Sequence, residues 1–428
     1  MNKQRKDILV VGFALFAMFF GAGNLIFPPL LGVQAGDAFP IVSIGFLLAG
    51  VGLPLLGVIA TAKAGGRIEH LAGKVSPGFA ALLGTVIILC IGPLFAIPRT
   101  AATTFEVGVL PMFPTSPAWL TSLIFFAVTL YFVINPSKVI DHVGKYLTPL
   151  LLAVLAIMIV RALTNPLGTP VAQESAQWFS RGFTEGYQTM DALASVIFTT
   201  IVVASVTALG YKDDKPMLNV TAKSAILAAV LLLIVYGGLT YIGATGSGIY
   251  EPTVDRTFLI IDLVQRLLGS AGSIVLGLAI SLACLSTSIG LVSSTGDFFS
   301  NLTKGKLSYR LVCIITVFVS FWLSILGVEA IINFAGPVLA IVYPPVIVLI
   351  VLNLLGPSMQ KTWIYRAAVI GALVVSAIEI LTGTFSLPIA GIVEKLPLHD
   401  QGFGWITGTI LFLIIGAVIQ MATGKKEA

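Results

Sequence analysis

Charged side chains are scarce in this sequence of 428 residues. Asp, Glu, Lys and Arg make up 10% of the chain, apolar residues reach 57%, and the mean hydropathy is +1.02. Soluble domains carry about 25% charged residues, so this chain has too little polar surface to cover a fold of its length in water. The shortage of charge excludes a soluble globular protein and predicts a protein embedded in a lipid bilayer.

Histidine and cysteine are also few. The three histidines, His70, His142 and His399, fall in predicted loops, and no apolar segment contains paired acids or a nucleophile with a base. The three cysteines lie inside apolar segments, without the spacing of a metal site or a disulfide framework. These shortages argue against a membrane-embedded enzyme.

The positive charge of the chain has a topological explanation. A formal net charge of +5 would suggest nucleic-acid binding on a soluble protein. Here the basic residues lie in short loops between apolar runs, where they orient membrane insertion, and we expect no nucleic-acid partner. Most of the 24 Lys and Arg residues collect on one side when both termini are placed in the cytoplasm, which also requires an even number of spans.

Apolar runs long enough to cross the hydrocarbon core recur along the whole chain. They predict an all-α polytopic membrane protein with about twelve transmembrane helices in a single domain, residues 1–428. The longest connections, 164–189 and 244–269, are expected outside the membrane, with short surface helices. The predicted spans are 8–34, 40–62, 78–107, 119–136, 144–163, 190–210, 220–243, 270–296, 309–327, 330–354, 364–388 and 403–423.

The first span contains a run that disfavours a continuous helix. In FAMFFGAGNLIFPPL, residues Gly21, Ala22, Gly23 and Asn24 stand near the centre of the span and two prolines follow. Gly and Pro weaken a helix, and backbone groups freed in hydrocarbon need another partner. The run predicts a broken helix whose N–H groups at residues 21–23 receive a carboxylate and whose preceding carbonyls receive a hard cation. The alternative is that the small residues merely allow close helix packing.

Two stretches resemble a known family. FFGAGNLIFPPLLGVQAG and GPLFAIPRTAATTFE, at 92–106, are similar to the branched-chain amino acid:cation symporters, and the resemblance extends over essentially the whole chain. It implies sodium-coupled import of leucine, isoleucine and valine by alternating access, through a multi-pass protein of the bacterial cytoplasmic (inner) membrane. It does not fix the oligomeric state.

A more distant likeness concerns the fold. GAGN is similar to the GLGN of the sodium-coupled neurotransmitter symporters, which implies a LeuT-type fold of two inverted five-helix repeats. The repeats would occupy 8–163 and 190–354, and two additional helices would occupy 364–423.

The resemblance also implies a sodium site. The eighth span contains LACLSTSIGLVSST, similar to the LAGLTSS of the neurotransmitter symporters, and this likeness implies carbonyl ligands from Ala17, Phe20 and Ala283 and hydroxyl ligands from Ser286 and Thr287. The alternative is that these hydroxyls bond back to their own helix. All five candidate ligands are neutral oxygens, which favours sodium over a proton as the coupling ion. Proton-coupled amino acid symport and a channel are kept as alternatives.

In the sixth span, Phe198 and Thr199 align with residues that face substrate and ion in the related fold. The resemblance implies that they contact the substrate, as Asn24 would, and the alternative for Asn24 is that its amide caps the outer half-helix. This span has no Gly or Pro in its middle, so a break there is implied by the resemblance alone. Asp191 is expected at the outer start of the helix, since an acid is common near a helix N-terminus.

Two charges fall within the third span, Arg99 and, seven residues later, Glu106. Charges buried in lipid are costly and usually mark pairs or pathways, so both are predicted to pair or to gate access to the site. Arg99 reaching to the outer interface is the alternative. The neurotransmitter symporters close their outer gate with an arginine shortly after GLGN, and the aligned position here is Phe27, so Arg99 is the candidate replacement. Glu379, in the eleventh span, is expected to make a structural pair or a subunit contact.

Overall fold

The computed structural model describes residues 3–134, 138–174, 177–385 and 394–424. Across these ranges the chain forms a bundle of α-helices joined by short turns. The helices are α1 (Lys3–Phe19), α2 (Ala22–Ala35), α3 (Phe39–Leu47), α4 (Leu53–Lys63), α5 (Ile68–Ala72), α6 (Pro77–Leu89), α7 (Ala96–Thr103), α8 (Ala118–Ile134), α9 (Lys138–Thr164), α10 (Trp178–Gly186), α11 (Asp191–Ala208), α12 (Asp214–Thr245), α13 (Arg256–Leu302), α14 (Tyr309–Ser324), α15 (Val328–Leu355), α16 (Thr362–Phe385) and α17 (Gly404–Gly424).

The surface of the bundle is apolar. Within the described ranges, eight helical stretches are long and apolar enough to cross a membrane, and three shorter apolar helices accompany them. Apolar side chains point outward, as do Ile410, Leu411 and Ile414 of α17, which suits contact with lipid. The predicted all-α multi-pass architecture is confirmed, whereas the total of twelve spans and the cytoplasmic termini stay predictions. The predicted ends of two spans, at residues 136 and 388, lie outside the described residues.

The first predicted span is broken into α1 and α2. Only Phe20 and Gly21 separate the two helices, and Gly21 is extended, with φ −110° and ψ −170°. The predicted interruption is confirmed, but it is narrower than expected, because Ala22–Asn24 already form the first turn of α2. Pro28 and Pro29 lie inside α2 and do not end it.

Glycines bring α2 against α12. A Cβ built on Gly243 of α12 would lie 1.9 Å from the carbonyl oxygen of Pro29, and one built on Gly32 would lie 2.0 Å from that of Thr240. Backbones approach this closely only where a side chain is absent, as in small-residue contacts between membrane helices. Close packing therefore does occur beyond the break, and it fixes α2 against α12.

A second glycine contact joins α10 to α3. A Cβ on Gly45 would lie 2.1 Å from the carbonyl oxygen of Phe179, and one on Gly182 would lie 2.1 Å from that of Val42. The segment 164–189 was expected to be an external connection with surface helices. Instead, α10 is packed into the bundle, because its glycines allow direct backbone contact with α3.

The sixth predicted span also begins at a break. A 3-10 turn, Tyr187–Thr189, follows α10, and Met190 adopts a left-handed conformation with φ 61° before α11 begins. Such a conformation is uncommon for residues other than glycine and marks a constrained position. The break thus lies at the start of the predicted span 190–210 and not in its middle.

A π-helical turn lies beside this second break. The turn, Leu48–Gly52, joins α3 to α4, and a Cβ on Gly50 would lie 3.6 Å from the Cγ2 atom of Thr189. π-helical turns are frequent at functional sites. Two adjacent helical pairs, α3–α4 and α10–α11, therefore lose regular α-helical geometry at the same level of the bundle.

The third predicted span, 78–107, is less regular than expected. Gly92 leaves the helical conformation, with φ −99° and ψ −123°, within a π-helical turn at Cys90–Leu94. The neighbouring Pro93 has no N–H to donate, which weakens the helix there. After this interruption the chain continues as α7, which carries Arg99 into the centre of the bundle.

The later elements follow the sequence more closely. α13 bends at Gly269, where φ is 72°, and its first part is the helix expected within the connection 244–269. Its second part is the predicted eighth span. α14 and α15 meet at Gly327, where φ is 87°, so the predicted separation of the ninth and tenth spans is confirmed.

Candidate functional site

The breaks in the first and sixth spans face a common cavity of about 40 Å³, which α7 and α13 complete. A space of this size holds a few water molecules. Ligand pockets commonly measure about 300 Å³ or more, so the surrounding helices must separate before a small organic molecule enters. The predicted site residues in its lining are Gly21, Gly23, Asn24, Arg99, Phe198 and Thr287. The other lining residues are Met18, Phe19, Ile91, Ala96, Thr100, Thr189, Met190, Asp191, Ala194 and Leu291.

Asn24 connects the two breaks. Its Nδ2 atom donates to the carbonyl oxygen of Phe19, at 2.9 Å, and to Oδ2 of Asp191, at 2.6 Å. The hydroxyl of Tyr236 on α12 is a third neighbour within hydrogen-bond distance of this nitrogen, which has only two hydrogens to donate, and that hydroxyl donates to Oδ2 of Asp191 at 3.2 Å. The side chain of Asn24 therefore does more than cap a half-helix, because it ties α1, α2, α11 and α12 together at the cavity wall.

Asp191 begins the helix of the sixth span, as expected, but it is buried and does not lie at an outer end of the bundle. This residue is only 3% exposed and lines the cavity. It is the first residue of α11, where the positive end of the helix dipole faces its carboxyl group. The cavity thus contains a titratable group, whereas the five candidate cation ligands are neutral.

Arg99 is buried as well. Its side chain does not reach the outer interface, since Nη1 donates to the carbonyl oxygen of Gln188 at 2.7 Å and the residue is 3% exposed. The guanidinium group lies 5.4 Å from the centre of the Phe27 ring. Its Nε atom has no hydrogen-bond partner in the part of the chain that the structure describes. A buried charge this poorly paired is costly unless a ligand completes its interactions.

Glu106 lies apart from Arg99. Its Oε1 atom accepts a hydrogen bond from the backbone N–H of Val328, at 2.9 Å, and so caps the N-terminus of α15. The ion pairs found among the described residues do not join Glu106 to Arg99. The two predicted gating residues are therefore not paired in this conformation, and their gating role stays a prediction.

A different arginine makes ion pairs near Phe27. Arg256, at the start of α13, bonds to Glu185 of α10 at 2.9 Å and to Glu329 of α15 at 2.7 Å. Its guanidinium group lies 5.5 Å from the centre of the Phe27 ring, which Arg99 also contacts. We refer to Arg256, Glu185 and Glu329 as the ion-pair cluster. Nothing in the sequence indicated that these residues, distant along the chain, meet.

Of the predicted cation ligands, Thr287 of α13 lies beside the first break. A Cβ on Gly21 would lie 3.6 Å from Cγ2 of Thr287 and 3.9 Å from its Oγ1. That Oγ1 atom is buried and has no hydrogen-bond partner among the described residues. A buried hydroxyl without a partner needs an explanation, and a bound ligand is one. The remaining predicted ligands are not part of the cavity lining: Ala17, Phe20, Ala283 and Ser286.

Of the substrate contacts predicted in the sixth span, one lines the cavity and the other does not. Phe198 lines the cavity, and its ring centre lies 6.1 Å from that of Phe19. Thr199 is fully buried and donates to the carbonyl oxygen of Ser195 at 2.6 Å, within its own helix. Ala22 begins α2, so its backbone lies at the break, while its side chain falls outside the described residues.

Sequence reasoning missed part of the site. Tyr236 is one of two tyrosines in a long apolar helix, and no pattern marks it as a partner of Asn24. The segment before Asp191 does contain a signal, because Phe179, Phe183 and Tyr187 recur every fourth residue, as on one face of a helix.

The comparisons with known proteins concern the whole chain. The family model described as "Branched-chain amino acid transport protein" matches residues 4–423. The chain belongs to this family. The transporter is 41% identical over 433 residues to the branched-chain amino acid permease BraB of Bacillus subtilis, with 99% of this chain and 97% of that protein covered. It is 34% identical over 435 residues to the permease BrnQ of Escherichia coli, with 99% and 98% covered. These relatives are transporters, so the expectation that the chain is not an enzyme is confirmed.

Solved structures show the same architecture. The transporter matches the inward-facing conformation of Mhp1 with a TM-score of 0.63 at 12% identity, covering 97% of this chain and 91% of that one. It matches Mhp1, described as a nucleobase-cation-symport-1 family transporter, in a closed conformation with bromovinylhydantoin bound, with a TM-score of 0.62 at 14% identity, covering 98% and 93%. At this identity the likeness concerns the fold alone, and it confirms the LeuT-type fold.

Proposed function

We propose that the transporter is a sodium-coupled symporter that imports leucine, isoleucine and valine across the bacterial cytoplasmic membrane by alternating access. The permeases BraB and BrnQ, named for branched-chain amino acids, support the substrate class. The observation that carries the proposal is the meeting of two broken helices at one buried cavity. In membrane helices such breaks are tolerated where a ligand uses the freed backbone groups.

The cavity offers distinct surfaces to the two ends of an amino acid. The N–H groups at the start of α2, near Gly21 and Gly23, have no acceptor within the helix, and the positive end of the helix dipole there suits a carboxylate. An apolar wall suits an aliphatic side chain, and it is formed by Met18, Ile91, Ala194, Phe198 and Leu291. One methylene group is worth only about 1–3 kcal/mol in such a pocket, so we expect weak discrimination among the three substrates.

The coupling ion would bind between α1 and α13. Its ligands in this proposal are the carbonyl groups of Ala17, Phe20 and Ala283 and the hydroxyl groups of Ser286 and Thr287. The buried, unpartnered hydroxyl of Thr287 beside Gly21 supports this position.

Proton coupling is the second candidate, and one observation favours it. Asp191 places a buried carboxyl group at the cavity, bonded to Asn24 and Tyr236. A carboxyl group that gains and loses a proton is the usual basis of proton-coupled transport.

Uptake by proteoliposomes tests the proposal. Labelled leucine should accumulate when a sodium gradient is imposed at equal pH, and unlabelled isoleucine and valine should compete with it. Accumulation driven by a pH gradient in sodium-free buffer would replace the sodium proposal with the proton one. If leucine does not accumulate against its gradient under either condition, coupled transport is excluded.

A variant tests the sodium site. Thr287→Val removes the unpartnered hydroxyl, and we expect the sodium concentration for half-maximal uptake to rise on the order of tenfold, since an oxygen ligand to the cation should contribute about as much as a hydrogen bond to a charged group, about 1.5–3 kcal/mol. Thr295→Val is the matched control, because its hydroxyl on the same helix already bonds to the carbonyl of Leu291. Equal sodium dependence in the two variants would contradict the assignment of Thr287.

A further inference from the structure

The cavity wall contains two opposite charges that do not contact each other. Arg99 of α7 and Asp191 of α11 both line the cavity, and both are 3% exposed. The ion pairs of the described residues include neither of them. Two buried charges on one small cavity would ordinarily pair directly, because each is costly in isolation.

Each of the two charged groups uses only part of its hydrogen-bonding capacity. The guanidinium of Arg99 makes one hydrogen bond, from Nη1 to Gln188, and its Nε has no partner among the described residues. The carboxyl of Asp191 accepts from Asn24 and Tyr236, and both of these bonds go to the same oxygen, Oδ2. Neutral groups thus hold the two side chains in place, and within the described ranges neither side chain has a group of opposite charge in direct contact with it.

We propose that Arg99 and Asp191 bind the two charges of the amino acid itself, Arg99 its α-carboxylate and Asp191 its α-ammonium. This inference rests on the proposed function, since it takes the substrate to be an amino acid. Standard bond lengths put the ammonium nitrogen and the carboxylate carbon about 2.5 Å apart, so a single zwitterion contacts both walls of a small site. The site and the substrate each have one positive and one negative group, so their charges are complementary.

The first turn of α2 contributes to the same carboxylate position. A Cβ on Gly23 would lie 2.6 Å from Nη2 of Arg99, so the guanidinium lies directly against the N-terminal turn of α2. The absence of a side chain at Gly23 allows the arginine and the free N–H groups of that turn to face one carboxylate together. Asp191 lies across the break, bonded to Asn24, where the ammonium end of the same molecule would be.

Analogues that lack one charge separate the two roles. The assay is competition against labelled leucine in proteoliposomes, with leucine, 4-methylpentanoate and 3-methylbutylamine as competitors. The first analogue has no ammonium and the second has no carboxylate. For the unmodified protein we expect leucine to compete roughly tenfold to hundredfold better than either analogue, the range expected for a hydrogen bond to a charged group.

Asp191→Asn should reduce the advantage of leucine over 4-methylpentanoate to within about threefold, while the advantage over 3-methylbutylamine persists. Arg99→Gln should do the reverse. Each result is a ratio measured on one preparation, so a lower yield of folded protein does not affect it. Should one variant yield no folded protein, the other decides the proposal, because each tests a different charge of the substrate on a different helix.

Asp7→Asn is the matched control for Asp191→Asn. Asp7 is a largely buried carboxyl that also accepts a hydrogen bond from a tyrosine, Tyr211 at 3.0 Å, but it lies outside the cavity lining. We expect it to leave both ratios unchanged.

Two results would overturn the inference. One is an unchanged pair of ratios in a folded Asp191→Asn or Arg99→Gln protein. The other is an Asp191→Asn protein in which only the cation dependence changes, which would assign Asp191 to the coupling ion. Absence of leucine uptake by the unmodified protein would instead be a failure of the proposed function.

Discussion

At the scale of single residues, the site depends on a glycine, Gly23, where a side chain would not fit. Gly23 is in contact with both the guanidinium of Arg99 and the ring of Phe27, and a Cβ there would lie 2.6 Å from Nη2 of the former and 3.0 Å from Cε2 of the latter. Both neighbours are buried, so neither moves aside freely. Gly23 therefore determines where the positive charge of the cavity is placed.

Gly23→Ala should weaken leucine transport. Overpacking typically costs about 1–3 kcal/mol, and here the displaced group is Arg99, so we expect the KM for leucine to rise about tenfold. The measurement is the KM of sodium-driven uptake. Gly290→Ala is the control, because a Cβ on Gly290 would meet nothing within 4 Å. An unchanged KM in Gly23→Ala would show that Arg99 tolerates displacement.

At the scale of helices, the ion-pair cluster connects three elements that are remote in sequence. Arg256 at the start of α13 holds Glu185 on α10 and Glu329 on α15. Arg256 also contacts the ring of Phe27 on α2, and Arg99, which lines the cavity, contacts the same ring. Opening this end of the bundle requires these contacts to separate, so we expect Arg256 to take part in its closure, and the gating role of Arg99 stays a prediction.

Arg256→Gln should favour the open arrangement of this end. Hydrogen bonds to charged groups contribute about 1.5–3 kcal/mol, and their loss should raise solvent access to the cavity about tenfold. The measurement is the rate at which a membrane-impermeant maleimide modifies a cysteine placed at Thr100, which lines the cavity. Arg266→Gln is the control, because Arg266 pairs with Asp262 within its own helix, at 2.7 Å. Equal rates in the two variants would argue against closure by the cluster.

At the scale of the whole molecule, the orientation in the membrane is still a prediction from the distribution of Lys and Arg. The turn after α12 is expected outside, and the turn between α13 and α14 is expected in the cytoplasm. Both turns contain exposed positions, Glu251 and Lys306 respectively.

Cysteine labelling tests this orientation. The native cysteines are buried, which gives a low background. In intact cells an impermeant maleimide should modify Glu251→Cys but not Lys306→Cys, and permeabilised cells should allow both. The reverse pattern would invert the topology, and equal labelling in intact cells would contradict an arrangement with these turns on opposite sides.

The sequence predicts the first half of the site better than the second, for a physical reason. Gly and Pro in the middle of an apolar span are a visible signal, so the break at Gly21 was expected. The second break depends on Met190, a residue type that does not indicate a left-handed conformation. Its preceding helix was also hidden, because Arg181 and Glu185 made α10 resemble an external connection. The burial of Asp191 at the cavity was missed for the same reason.

The fold as a whole was more predictable than the contacts within it. Composition determines a membrane bundle, and the GAGN run indicates its architecture. The contacts of Tyr236 and of the ion-pair cluster depend on how helices that are distant in sequence pack together. Local sequence patterns do not predict that packing.

The glycine contact between α3 and α10 has a consequence for motion. Helices whose backbones touch cannot slide along one another without collision, so α3 and α10 travel as one unit. Their continuations, α4 and α11, also pack together, and the irregular turns at Leu48–Gly52 and Met190 lie side by side. Helices α3 and α10 thus form one rigid pair, and α4 and α11 form another. During the transport cycle the protein is expected to bend at the irregular turns between the two pairs, while the helices within each pair keep their relative positions.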